Sequence, residues 1–123
     1  MKNNVTILVA EDEEFNFILV KYILEREGIN TIWAKNGEEA VNLFKEHKDI
    51  DLIMMDIKMP IMNGMDATIE IKKINPGIPV IAVTAFTLAE DRELCLKNGC
   101  DEFVTKPINR DHLISITNQF LRK

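Results

Sequence analysis

Five polar side chains in this sequence are of types that can act together on a phosphoryl group. They lie at or just after the ends of short β-rich runs: Glu11, Asp12, Asp56, Thr84 and Lys106. Three carboxylates crowded into one pocket repel one another, so they must share protons or bind a hard cation. Oxygen ligands suit Mg²⁺, which keeps several of its waters and contacts substrate phosphates. A hydroxyl and an ammonium add the hydrogen-bond donor and the positive charge that a transferring phosphoryl group needs.

These residue types suggest a distinct role for each member of the set. Asp56 is the candidate nucleophile, because a carboxylate can accept a phosphoryl group as an acyl phosphate. Asp12 and Asp56 are the candidate direct ligands of Mg²⁺, with Glu11 acting through water. Thr84 and Lys106 are the candidates for contacts to the phosphoryl oxygens.

Taken singly, the same residues have ordinary explanations. An aspartate after a strand, such as Asp56, often caps the following loop through its side chain. A threonine at the position of Thr84 can be a simple strand former, and a lysine ahead of a proline, such as Lys106, is commonly just solvated. The acidic run that starts at Glu11 also stabilises the beginning of a helix. The choice between one joint site and several separate caps therefore depends on where the elements place these residues.

Short β-rich runs alternate with amphipathic segments along the chain. The predicted strands are Val5–Ala10, Thr31–Ala34, Leu52–Met55, Pro79–Thr84 and Asp101–Thr105. The predicted helices are Phe15–Glu27, a segment that starts at Asn36-Gly37, about Met65–Ile74, about Leu88–Lys97 and about Arg110–Leu121. This alternation is typical of an α/β fold whose parallel sheet is covered by helices on both faces. Ligands bind at the carboxyl ends of such strands, so we expect all five polar residues at one edge of the sheet.

Two connections add local detail to this prediction. The first predicted helix carries five apolar residues on one face: Phe15, Ile18, Leu19, Tyr22 and Ile23. Gly28 fits the residue that ends this helix. After the third strand, Pro60 has a fixed φ, and Asn63-Gly64 can take positive φ values before the next helix. These turn residues place Asp56 at the mouth of a crevice.

The composition is that of one globular domain. The chain has 123 residues, of which 46% are hydrophobic and 28% charged, so it can bury a core. A net charge of −5 argues against a surface for nucleic acid, which needs clustered Lys and Arg. No apolar run is long enough to span a bilayer, and residues 1–4 lack the apolar segment of a secretion signal, so we expect a cytoplasmic protein without membrane contact. We interpret Cys95 and Cys100 as small buried hydrophobic residues.

Across nearly its whole length the chain resembles the receiver domains of two-component signalling. The matching motifs are Glu11-Asp12, Asp56 with Met59-Pro60 and Gly64, Val83-Thr84-Ala85, and Lys106-Pro107. Asn16 and the run Cys95–Ile108 are most similar to receivers of hybrid sensor histidine kinases. The resemblance implies a single receiver domain over residues 1–123. It also implies a flavodoxin-like three-layer α/β/α fold with a five-stranded parallel sheet of order 2-1-3-4-5.

For the reactive centre, the resemblance implies that Asp56 is the phosphoacceptor. Mg²⁺ would be held by Asp12, Asp56 and the backbone carbonyl of Lys58, with Glu11 standing where the family more often has aspartate. The phosphodonor would be a histidine kinase or a histidine phosphotransfer domain.

For signal output, the resemblance implies a switch formed by two side chains. Thr84 would be the switch hydroxyl, and Phe103 would be the aromatic residue that turns inward when Thr84 moves. Lys106 would contact the phosphate. Phe103 departs from the more common tyrosine and lacks its hydroxyl. A dimer that forms on phosphorylation is left open as a further partner.

Two other functions compete with this interpretation. One is a Mg²⁺-dependent phosphohydrolase that forms an aspartyl phosphate on a similar sheet. Such an enzyme would need a second acid near Asp56, where Lys58 stands, and a substrate-capping insertion for which the chain has no room. The other is an interaction module independent of phosphorylation, although every reactive position is filled. We therefore expect a signalling receiver that catalyses only its own phosphorylation and dephosphorylation, within a histidine kinase if the parent protein is a hybrid.

Overall fold

Five parallel strands with helices on both faces make up the fold. The computed structural model describes residues 4–59, 61–84, 93 and 95–121. The strands are β1 (Val5–Ala10), β2 (Ile29–Ala34), β3 (Leu52–Asp56), β4 (Val80–Thr84) and β5 (Glu102–Thr105). The helices are α1 (Glu14–Glu25), α2 (Gly37–Glu46), α3 (Gly64–Ile74) and the C-terminal helix (Arg110–Leu121). Residues 93 and 95–97 are also helical, but most of the helix predicted at about Leu88–Lys97 lies outside the described residues, as do Pro60 and Ala85.

The sheet has the strand order β2-β1-β3-β4-β5, and every neighbouring pair is parallel. This order confirms the one that the family resemblance implied. Because all strands run in the same direction, their carboxyl ends share one edge of the sheet. Among the described residues, no helix combines the length and apolar character needed to cross a bilayer.

Hydrophobic side chains form one layer on each face of the sheet. Successive residues of a strand point to opposite faces, so Val9 packs with α1 and the C-terminal helix while Ala10 packs with α2 and α3. The segment Leu52–Met55 of β3 is buried throughout, as its apolar run predicts. Cys95 and Cys100 are both buried in the layer on the α2 and α3 side, as interpreted from the sequence.

Helix α1 buries a different face from the one that its sequence suggested. Of the five residues assigned to one face, only Ile23 is buried. The buried residues of α1 are Phe17, Val20, Ile23 and Leu24. The helix is apolar nearly all round, so residue spacing does not distinguish its two stripes. On the buried face, the ring of Phe17 stacks on Trp33 with centroids 4.8 Å apart.

The turn between β3 and α3 corrects a second expectation. Asn63 has a φ of −74°, and its side chain caps α3 by accepting a hydrogen bond from the Asp66 amide at 2.9 Å. Gly64 is the first residue of α3, and the positive φ in this turn, 68°, belongs to Ile61. The reason for a glycine at position 64 is space, because a Cβ there would collide with the carbonyl oxygen of Asp56. The predicted positive φ at Asn63-Gly64 was therefore wrong.

Candidate functional site

Backbone pairing continues past the ends of two strands and positions the site. The amide of Glu11 donates to the carbonyl of Ala34 at 2.9 Å, and the amide of Lys106 donates to the carbonyl of Thr84 at 2.8 Å. These bonds extend the sheet by one residue beyond β1 and β5. Glu11, Asp56 and Lys106 are thus held by the sheet itself at its carboxyl edge, as the sequence predicted.

One ammonium group links two buried acids at this edge. Lys106 Nζ lies 3.1 Å from Asp56 Oδ2 and 3.2 Å from Glu11 Oε1. The carboxylate side chains are only 5% and 4% exposed, and the lysine side chain is 24% exposed. Strand β5 is two positions away from β3, a separation of roughly 10 Å. The long stem of lysine is what allows its charge to reach across the end of β4.

The three predicted carboxylates come together as a group. One oxygen from each of Glu11, Asp12 and Asp56 lies within 4.8 Å of the others. Glu11 and Asp56 are buried, while Asp12 is exposed and lines an open cleft together with Lys58. Several close carboxylate oxygens that can be reached from solvent form a donor set that suits Mg²⁺.

Each buried carboxylate divides its oxygens in the same way. Glu11 Oε2 accepts from the amide of Glu13 at 3.1 Å, and Asp56 Oδ1 accepts from the amide of Lys58 at 3.2 Å. The other oxygen of each acid contacts Lys106. Asp56 therefore has both roles considered for it: it caps the following loop through Oδ1, and it belongs to the joint site through Oδ2.

The electrostatics of the pocket favour a proton or a cation. The pKa of Glu11 is raised to about 7, chiefly by burial and also by the charge of the nearby Asp56, against the lowering effects of the Glu13 amide and Lys106. For Lys106, burial by itself lowers the pKa. The charges of Asp56 and Glu11 outweigh that effect and leave the pKa of Lys106 raised. The ammonium therefore stays charged at neutral pH, and the raised pKa of Glu11 lets that carboxylate hold a proton part of the time there.

The two predicted switch residues share one face of the sheet. Thr84 ends β4 and is buried. Phe103 pairs in register with Ala82, which is two residues before Thr84 and so points to the same side. Phe103 also lines a groove with residues of the C-terminal helix, among them His112 and Ile116.

Sequence reasoning missed one contact at the site. The indole nitrogen of Trp33 donates to the backbone carbonyl of Glu11 at 2.8 Å. Trp33 lies opposite Val9 in the pairing of β1 with β2. The sequence shows only a tryptophan near the end of a predicted strand. Whether its side chain reaches Glu11 depends on the register between β1 and β2, which the sequence does not reveal.

Known proteins match the chain over most of its length. The family model of the response regulator receiver domain matches residues 7–118. The chain is 42% identical over 120 residues to hybrid signal transduction histidine kinase I of Dictyostelium discoideum, a match that covers 91% of the chain but 7% of that kinase. It is 37% identical over 118 residues to the polar-differentiation response regulator DivK of Brucella anthropi, a match that covers 94% of the chain and 95% of DivK.

Two solved structures are close in shape. The first is the receiver domain of sensor histidine kinase PA1611 from Pseudomonas aeruginosa, with magnesium coordinated in its active-site cleft. It is 30% identical with a TM-score of 0.90, covering 98% of this chain and 99% of that one. The second is the receiver domain of Ssk1 from Saccharomyces cerevisiae, in complex with the histidine phosphotransfer protein Ypd1. It is 28% identical with a TM-score of 0.89, covering 97% and 90%. Since the matched region contains the whole cluster from Glu11 to Lys106, the chain belongs to the response regulator receiver domain family of two-component systems.

Proposed function

We propose that residues 1–123 act as a single phosphoacceptor receiver domain, in which Asp56 takes a phosphoryl group from a phosphohistidine. The observation that carries this proposal is the contact of Lys106 Nζ with Asp56 at 3.1 Å and with Glu11 at 3.2 Å. It puts a positive charge beside the carboxylate that would receive phosphoryl oxygens. In the transfer, an oxygen of Asp56 bonds to phosphorus while the N–P bond of the donor breaks. The electron pair of that bond stays on the imidazole nitrogen.

The new phosphoryl oxygens need hydrogen-bond donors, and Lys106 and Thr84 are the two side chains proposed to supply them. Lys106 already contacts Asp56 Oδ2. Asp56 pairs in register with Val83, so Thr84 is the next residue on the neighbouring strand. A hydroxyl and an ammonium on adjacent strands would each bond to a different phosphoryl oxygen.

The cofactor in this proposal is Mg²⁺. Asp12 and Asp56 would bind it directly, Glu11 would act through water, and the carbonyl of Lys58 would supply a further oxygen. The close carboxylate oxygens and the cleft shared by Asp12 and Lys58 support this assignment. So does the magnesium in the PA1611 receiver domain. Bound Mg²⁺ would offset negative charge on the phosphoryl oxygens.

A phosphohydrolase is the second candidate, and one observation favours it. With a pKa of about 7, Glu11 is an acid beside Asp56 that carries a proton part of the time at neutral pH. A general acid needs such a proton. Against this role, Lys58 stands two residues after Asp56, where such an enzyme would carry its second acid. We therefore limit the chemistry to phosphorylation of the domain itself and the later loss of that phosphate.

Incubation with a small acyl phosphate and Mg²⁺ distinguishes the candidates. A receiver should incorporate about one phosphoryl group per chain and hold it long enough for intact-mass measurement. A phosphohydrolase would release inorganic phosphate in many turnovers without accumulating label. No labelling and no release at saturating Mg²⁺ would contradict both, and would leave an interaction module.

An exposed apolar stripe on α1 is the proposed docking surface for the phosphodonor. It consists of Phe15, Ile18, Leu19 and Tyr22, which are 79%, 53%, 40% and 59% exposed. Their spacing puts them along one side of the helix. Helix α1 begins directly after the acidic turn, so a helix of the partner packed on this stripe would lie beside the pocket. The Ssk1 receiver in complex with Ypd1 supports a histidine phosphotransfer domain as this partner.

The docking proposal has a test that separates it from the chemistry. Ile18→Asp should slow phosphotransfer from a phosphorylated histidine domain at least tenfold and leave phosphorylation by acetyl phosphate unchanged. Ile74→Asp is the matched control, because Ile74 is a similarly exposed isoleucine at the end of α3. Equal slowing with both donors, or no slowing with either, would contradict the docking site.

Output in this proposal passes from Thr84 to Phe103. If Thr84 moves toward the phosphoryl group, the space that it leaves lies on the face that Phe103 shares. Rotation of that ring would change the groove beside the C-terminal helix.

A dimer formed on phosphorylation stays a prediction, which sedimentation of the beryllium fluoride complex would test. A cytoplasmic location also stays a prediction, testable by fractionation.

A further inference from the structure

We propose that Trp33 is a positioning residue for the Mg²⁺ site and acts through the main chain of Glu11. Trp33 is the only tryptophan in the sequence and belongs to the edge strand β2. Its indole Nε1–H donates to the carbonyl oxygen of Glu11 at 2.8 Å. The inference rests on the Mg²⁺ site proposed above. It adds a residue that does not bind the metal but orients the peptide group between Glu11 and Asp12.

The hydrogen bond from the indole follows directly after the last backbone hydrogen bond between Glu11 and β2. The last backbone bond between this part of the chain and β2 runs from the Glu11 amide to the Ala34 carbonyl at 2.9 Å. The following carbonyl, that of Glu11, accepts from the side chain of Trp33. This carbonyl and the amide nitrogen of Asp12 belong to one planar peptide group. Holding the carbonyl therefore sets the direction in which the chain continues to Asp12.

The indole also holds the far side of the acidic turn. The ring of Phe17 in α1 stacks on Trp33 with an interplanar angle of 5°. Lys35 Nζ lies 5.2 Å from the centroid of the indole, in cation–π contact. Trp33 is thus joined to Glu11 before Asp12 and to Phe17 after it. Asp12, the exposed member of the carboxylate group, therefore lies between two residues that both contact the indole ring.

A fixed position of Asp12 is important for Mg²⁺ in particular. Mg²⁺ requires near-octahedral geometry at short distances, so a small displacement of a ligand weakens binding. Groups that orient metal ligands from outside commonly contribute roughly 10- to 100-fold to affinity. A hydrogen bond that reaches the ligand only through the main chain should contribute less than this, and we expect its loss to weaken Mg²⁺ binding by about 3- to 10-fold.

Calorimetric Mg²⁺ titration of matched variants tests the inference. Trp33→Phe keeps an aromatic ring against Phe17 but removes the donor. Replacement of Trp33 by benzothienylalanine keeps the two-ring shape and changes only the N–H to sulfur, so it should give the same weakening with less disturbance of packing. Phe44→Leu, in the hydrophobic layer on the other face of the sheet, is the control for lost stability and should bind Mg²⁺ as the parent does. Parent-like affinity in both position-33 variants, or equal weakening in Phe44→Leu, would overturn the inference.

The indole proton offers a readout that affinity alone does not. With one tryptophan in the chain, its N–H gives a single resonance. This proton should exchange slowly with solvent, and its shift should move on addition of Mg²⁺. Exchange as fast as in a free indole, with no shift at saturating Mg²⁺, would overturn the role of Trp33 while leaving the receiver function intact. A parent protein that binds no Mg²⁺ would instead overturn the proposed metal site and this inference with it.

Discussion

The ammonium nitrogen of Lys106 lies 3.1 Å from Asp56 Oδ2, a contact that joins β5 to β3 over the end of β4. The same nitrogen is 3.2 Å from Glu11 Oε1, so one cation faces two buried carboxylates. Asp12 adds a third carboxylate at the open side of the pocket. With one positive and three acidic groups, the pocket attracts a further cation.

Mg²⁺ affinity should rise with pH through about 7. Burial and the charge of Asp56 raise the pKa of Glu11 to about 7, and an ionised Glu11 attracts Mg²⁺ and its bound water more strongly than a protonated one. Glu11 is mostly protonated at pH 6 and mostly ionised at pH 8, so we expect about tenfold tighter binding at pH 8. Calorimetric titrations at both pH values measure this, with Glu11→Gln as the control that should lose the dependence. Equal affinities in the parent at pH 6 and pH 8 would contradict it.

Asp12→Ala should weaken Mg²⁺ binding without unfolding the protein. Asp12 is exposed, so its removal leaves no cavity in the core. Phosphorylation by acetyl phosphate should fall at low Mg²⁺ and recover in part at high Mg²⁺, because the other carboxylates remain. Glu14→Ala removes an equal charge from the first turn of α1 and should behave as the parent. Unchanged Mg²⁺ affinity in Asp12→Ala would mean that the metal site is elsewhere.

Gly64→Ala should displace the backbone of Asp56 and so disturb the site. A Cβ on Gly64 would collide with the carbonyl of Asp56 and lie 2.9 Å from Ile57 Cα, so the backbone must shift. We expect a loss of roughly 1–3 kcal/mol in the free energy of unfolding, together with slower phosphorylation. Gly77→Ala is the control, since its nearest contact would be 3.5 Å and its stability should change by less than about 1 kcal/mol. Urea unfolding of both variants gives the comparison, and equal stabilities would disprove the close approach.

Thr84→Ala should separate phosphorylation from the change of surface. The variant keeps Asp56 and Lys106 and should still accept phosphate, but it lacks the hydroxyl that would move toward the new oxygens. In the parent, beryllium fluoride with Mg²⁺ should produce large NMR shifts near Phe103 and Leu113, and in Thr84→Ala much smaller ones. Thr105→Ala removes the hydroxyl of the residue that pairs with Thr84 and should keep the parental response. Equal shifts in the parent and Thr84→Ala would refute the coupling.

The strand ends were predictable because a polar residue after an apolar run marks them. That local signal placed Glu11, Asp56 and Lys106 at one edge once the strands were known to be parallel. The buried face of α1 was not predictable, because both of its stripes have helical spacing and only the way the helix packs on the sheet decides between them. The bond from Trp33 to Glu11 depends likewise on a register between strands far apart in sequence.

The turn before α3 illustrates a different limit. Asn63-Gly64 is a dipeptide that often adopts positive φ, and its composition predicted that use. The structure uses Asn63 as a cap and Gly64 for close approach to Asp56. Glycine serves both purposes, and only the position of the neighbouring strand distinguishes them.

The most direct test is to locate the phosphoryl group. After reaction with acetyl phosphate and Mg²⁺, borohydride reduces an aspartyl phosphate to homoserine, which peptide mass spectrometry identifies by position. We predict homoserine at position 56 in the parent and none at any aspartate in Asp56→Asn, since an amide is a poor nucleophile. Homoserine at another position in the parent, or undiminished labelling of Asp56→Asn, would contradict the assignment of Asp56 as the phosphoacceptor.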